Sequence, residues 1–91
     1  MAKAFDRVSA KGIKFMIREL PNCETRIELR DDFKHIDVKF PIGLVMESWN
    51  TWAVEGRLIY AAFPYLTASE RDFILLGIIE SEWDRLFGAT E

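Results

Sequence analysis

Any reactive site in this chain would have to be built from its one histidine, its one cysteine and its carboxylates. His35 and Asp37 stand two apart, just downstream of Asp31 and Asp32. An extended backbone would place His35 and Asp37 on one strand face with the two aspartates at its turn, a set that a divalent cation could collect. One imidazole with scattered carboxylates lacks the tight His/Cys spacing of a zinc or transition-metal site, however. A solvated strand face with cross-strand charge pairing explains the same residues. Cys23 and His35 together have the makings of a thiolate–imidazole nucleophile, but a lone cysteine and a lone histidine in a short chain are usually structural. Glu70, Glu80 and Glu82 supply carboxylates for an acid/base pair, although helix capping and helix-dipole roles account for them with less effort. The chain carries no glycine-rich phosphate loop, no G-x-S-x-G elbow and no second histidine. No catalytic residue, metal ligand or cofactor is assigned on this reading, and the chain is expected not to be an enzyme.

The elements that would position these groups can be read from hydrophobic period. Thr25-Arg26-Ile27-Glu28-Leu29-Arg30 alternates at period two, and the alternation returns in Lys34-His35-Ile36-Asp37-Val38-Lys39-Phe40. Asp31-Asp32-Phe33 between them offers turn chemistry, so residues 25–40 are expected to form a hairpin. Ile27, Leu29, Ile36, Val38 and Phe40 would face a core, and Arg26, Glu28, Arg30, His35, Asp37 and Lys39 would face water. Residues 13–20 fit either a strand or a helix face. A third strand is chosen, because a meander is more stable than an isolated hairpin.

Beyond Pro41-Ile42-Gly43 the period lengthens. Val45, Trp49, Trp52 and Ala53 follow helical spacing, which predicts a helix over about 44–55 stopped by Gly56. Arg57 to Phe63 reads as a second short helix (57–63) ended by Pro64. Thr67-Ala68-Ser69-Glu70 matches the capping box, so a helix is expected over 68–76 with Gly77 as its stop. A last helix is expected over 81–87, with Trp83, Leu86 and Phe87 as its apolar side. The expected architecture is a single α+β domain: a small antiparallel sheet followed by a cluster of short helices on one face.

Composition narrows the classes of function. The chain has 91 residues, 49% hydrophobic and 30% charged, a globular mixture sufficient for one small core. Residues 1–40 hold nine Lys/Arg against seven Asp/Glu (net +2), whereas residues 41–91 hold three against eight (net −5). An acidic half of this kind argues against a nucleic-acid binder, which needs a basic stripe to release counterions. The longest apolar runs, Leu58 to Leu66 and Phe73 to Ile79, are far too short for a membrane span. A lone cysteine and the lack of a signal-peptide h-region lead to the expectation of a cytoplasmic setting.

Three Trp, two Tyr and seven Phe remain. At helical spacing most aromatics are core, but so small a domain is not expected to hide them all. Trp49, near a helix start, and Tyr65, in a loop, are expected at the surface. With Glu80, Glu82 and Asp84 of the acidic half they make the expected protein-binding set.

Trp52, Gly56, Ala62-Phe63-Pro64-Tyr65-Leu66, Ser69-Glu70-Arg71, Phe73, Gly77-Ile78, Trp83-Asp84 and Leu86-Phe87 form a string. It resembles the C-terminal pattern of small proteins encoded by bacteriophages and related mobile elements, in which a tryptophan and a glycine precede "AFPYL…ERxFLxxGI…WDxLF". The resemblance covers roughly residues 49 to 88. Leu58-Ile59-Tyr60 stands where the pattern commonly has a glutamine, and Ile79-Glu80-Ser81 where it often has Thr-Pro. Proteins of this kind generally carry no assigned activity, so the resemblance implies a genomic setting and not a mechanism. The expected function is binding of a host or phage protein, as an inhibitor of a defence or replication factor. Two alternatives stand beside it: a nucleic-acid accessory protein using Lys14, Arg18, Arg26, Arg30, Lys34 and Lys39, and a homodimer joined through edge strands or apolar surface.

Overall fold

In the computed structural model, residues 3–32 and 34–78 are described. They form an α+β fold. Its four-stranded sheet runs β1 (Ala4–Val8), β2 (Lys14–Glu19), β3 (Thr25–Leu29) and β4 (His35–Val38) in that spatial order. Every pair is antiparallel and consecutive in sequence, a simple meander. Helices α1 (Ile42–Trp49), α2 (Ile59–Ala62) and α3 (Ala68–Leu76) follow, with a π turn over Asn50–Val54 continuing α1. The expected hairpin and third strand are present, and so is the helix over 68–76.

β1 is the element that hydrophobic pattern did not announce. Ala4-Phe5-Asp6-Arg7-Val8 carries one large apolar residue on each face, and all five residues are exposed. Local turn chemistry holds it against β2. Ser9 Oγ accepts the amides of Lys11 and Ile13, Ser9 N donates to Ile13 O at 2.8 Å, and Gly12 takes a positive φ of 85°. Glycine enters this conformation without the Cβ clash that penalises other residues. The β2–β3 turn uses Cys23 in the same left-handed region, at φ 67°, with Glu24 N bonded to Asn22 Oδ1.

The register puts Phe15, Ile17, Thr25, Ile27 and Val38 on one face, all fully buried. Thr25 escapes the cost of a buried hydroxyl by donating to Phe40 O at 2.6 Å. The helices cover this face. Trp49 meets Phe15 edge to face at 5.3 Å and Trp52 at 5.4 Å, and Phe63 stands 6.2 Å from Trp52. Phe73 of α3 reaches Phe15 at 5.7 Å, so aromatic edges and faces knit helices to sheet in the geometry their quadrupoles favour.

The helical boundaries differ from the expected ones in three places. α1 begins at Ile42, directly after Pro41. Its expected continuation to 55 is a π turn, in which Glu55 N reaches back to Asn50 O and Thr51 Oγ1 donates to Glu47 O. Gly56 does end it, at φ 80°. The expected 57–63 helix is reduced to the four residues of α2. α3 starts as expected: Glu70 N donates to Thr67 Oγ1 and Thr67 N to Glu70 Oε1, the reciprocal capping box, and Gly77 closes it at φ 73°. The expected helix over 81–87 lies outside the described residues.

Candidate functional site

The outer face of the sheet carries the charged side chains that sequence patterning placed there, and most of its arginines and carboxylates are matched in pairs. Arg18 Nε meets Glu28 Oε1 at 2.7 Å, Arg30 meets Asp6 at 3.2 Å, and Lys34 meets Asp32 at 3.2 Å. Arg26 grips Asp37 with two bonds, Nε to Oδ1 at 2.8 Å and Nη2 to Oδ2 at 3.2 Å. Arg18 and Arg26 are direct cross-strand partners, and each is drawn to a carboxylate instead of opposing its neighbour. Four of the six cations in the candidate basic stripe are thereby neutralised locally.

The hydrogen bonds from Arg26 hold the Asp37 carboxyl below its ordinary range, with burial opposing them. A folded-state value below the unfolded one, about 3.9, adds stability at neutral pH that disappears as pH falls through the folded value. Asp37→Asn is therefore expected to lower the melting temperature slightly at pH 7 and by less at pH 2. Parallel thermal melts at the two values check this.

The groups considered for catalysis are kept apart. Cys23 lies in the β2–β3 turn and His35 begins β4 opposite Glu28, toward the other end of β3. At about 3.3 Å per residue the two stand on the order of 15 Å apart, beyond the reach of a nucleophile–base pair. Asp37 is committed to Arg26 and Asp32 to Lys34. Among the described residues no group of three or more His, Cys, Asp or Glu could hold a metal ion. Glu70 is the capping carboxylate of α3.

The expected binding set is redistributed. Trp49 is a core residue, 1% exposed, and the expectation that it reaches the surface is overturned. It sits at the end of α1 over Phe15, and its indole Nε1 donates to Val8 O at 3.1 Å. Tyr65 is half-buried: its ring packs on Phe40 at 4.5 Å and its hydroxyl donates to buried Ser48 Oγ at 2.7 Å. That burial pushes the phenol pKa up. Glu80, Glu82 and Asp84 lie outside the described residues.

Large apolar side chains are instead exposed elsewhere. Val54 (75%), Leu58 (72%) and Tyr60 (67%) fall within seven residues around the π turn and α2. Phe5 and Val8 are exposed on β1. Bonds from Glu19 N to Lys3 O and from Ser9 N to Ile13 O fix the alternation along β1. The backbone groups of Phe5 and Arg7 point to β2, and those of Ala4, Asp6 and Val8 point to the open edge. Val8 O is taken by Trp49 and Asp6 O by the exposed Arg7 guanidinium at 2.8 Å. Sequence reasoning missed this edge because β1 lacks an apolar alternation.

Among the described residues no helix is long and apolar enough to cross a membrane. No family model matches the chain, and no curated protein or solved structure is significantly similar to it.

Proposed function

We propose that this chain is a small non-enzymatic protein of a phage or mobile element that acts by binding another protein of the host or phage. An inhibitory role toward a defence or replication factor fits a compact domain with no assembled reactive set among its described residues. The observation that carries this reading is the contrast between the two kinds of surface. The charged sheet face is largely satisfied by its own ion pairs, while Phe5, Val8, Val54, Leu58 and Tyr60 are left exposed. Exposed large apolar side chains of this kind mark interaction surfaces. The same ion pairs weigh against the nucleic-acid reading, since a paired arginine has no charge to spare for phosphate without breaking its bridge.

Affinity capture with the tagged chain from cells in which it is naturally made tests the proposal. A protein retained in near-stoichiometric amount through rising salt is expected. Recovery of no protein at any salt concentration overturns the reading. Retention that requires nucleic acid and falls steeply with salt transfers the function to the nucleic-acid alternative.

A further inference from the structure

Resting on that reading, we infer that the open edge of β1 is where the partner docks, and that the partner contributes an extended segment with an acid–x–apolar–x–acid pattern as a fifth strand. Ala4 offers an outward N–H and C=O, and Asp6 an outward N–H. These flank Phe5, so one added strand would bond on either side of that ring. On the face shared with Phe15 and Ile17, Lys3 ahead of β1 and Phe5 and Arg7 within it alternate, all exposed. Among the described residues no carboxylate lies within ion-pairing distance of Lys3 or Arg7.

A strand laid along this edge sets its own alternate side chains opposite those three. The complement is an apolar residue against Phe5 with a carboxylate two positions away on each side. Arg7 already lies over the Phe5 ring at 5.5 Å, which places its guanidinium beside the incoming acid. Its bond to Asp6 O is the one intramolecular contact the new strand must displace. Trp49 on Val8 O ends the available edge, so the seam is short and centred on Phe5. The other edge is less suited: Val38 of β4 is buried, Ile36 is half-buried, and β4 has four residues. A second copy of this chain fits the seam less well, because a pairing centred on Phe5 sets Lys3 against Arg7, like charges on the same face.

The probe is a synthetic heptapeptide, Thr-Glu-Thr-Ile-Thr-Glu-Thr, titrated into the isotopically labelled chain and followed by amide NMR signals. Saturable shifts at Ala4 and Asp6 are expected. The same peptide with lysines for glutamates should bind about tenfold more weakly or worse, because it sets like charges across the seam. Asp6→Pro removes an outward N–H without touching the β1–β2 ladder and should abolish the shifts. Phe5→Lys, which keeps the backbone intact, should do the same if the proline variant proves unfolded. Equal binding of both peptides, no shift at Ala4 and Asp6, or shifts confined to the Leu58 region overturns the inference. Concentration-dependent dimerisation lost in Asp6→Pro also overturns it, assigning the edge to a second copy. If wild type captures a protein from cells and folded Asp6→Pro captures it equally, this inference fails while the functional reading stands. If wild type captures none, the functional reading itself fails.

Discussion

Replacing Trp49 with alanine is expected to cost about 3–5 kcal/mol of folding stability, the range for deleting a buried tryptophan or phenylalanine from a core. A domain of this size holds about 5–15 kcal/mol in all, so the variant should be on the margin of folding. Its urea midpoint should fall by about a fifth of the wild-type value or more. Trp49 touches Phe15, Trp52 and Phe63 by ring edges and faces, so its removal empties the place where sheet, π turn and α2 meet. Trp49→Phe separates packing from hydrogen bonding. It keeps an aromatic ring but withdraws the donor from Val8 O, which water can replace at the open edge, at about 0.5–1.5 kcal/mol for one hydrogen bond lost. Hydrogen exchange provides the sharper readout. The amides of Phe5 and Arg7, which bond β1 to β2, should exchange faster in Trp49→Phe, while those of β3 change little. Equal acceleration throughout the sheet would contradict the role of Trp49 as the tie on β1.

Arg71→Ala is expected to cost about 2–3 kcal/mol, the scale of hydrogen bonds from a charged donor. Arg71 Nη1 donates to Phe63 O at 3.1 Å and to Leu66 O at 2.7 Å, and its guanidinium lies over the Tyr60 ring at 5.5 Å. One side chain of α3 thus gathers α2 and the Pro64 turn that leads into its own helix. For a small domain this loss lowers the melting temperature by roughly 8–24 °C. Arg71→Lys should fall between, since an ammonium offers point donors without the planar fork that stacks on an aromatic face. A lysine variant as unstable as the alanine variant would show that the stacked plane outweighs the two carbonyl bonds.

How far the fold could be read from sequence differed by element, and for physical reasons. The 25–40 hairpin and the 68–76 helix were legible because each carries a local signal that its tertiary setting reinforces. Alternation in the hairpin matches a sheet buried on one face, and Thr67 with Glu70 satisfies amides that the helix itself leaves open. β1 was not legible, since a strand exposed on both sides needs no apolar alternation and is held by backbone bonds and the Ser9 turn. That omission also misplaced Trp49. Its indole N–H can be buried only because Val8 supplies an acceptor, and Val8 belongs to the strand that the pattern did not reveal. Sequence alone puts Tyr65 in a surface loop, yet Ser48 gives its hydroxyl a buried partner and Phe40 covers its ring. The candidate site changed accordingly. Trp49 and Tyr65 moved inward, and the exposed apolar side chains of the π turn, α2 and the β1 edge took their place.

Native mass spectrometry of the chain, purified gently from the cells that make it, tests the functional reading most directly. The expected result is a species heavier than the 10.6 kDa chain by the mass of one distinct protein, persisting after nuclease treatment. Finding only the free chain, or only multiples of its mass, would contradict it.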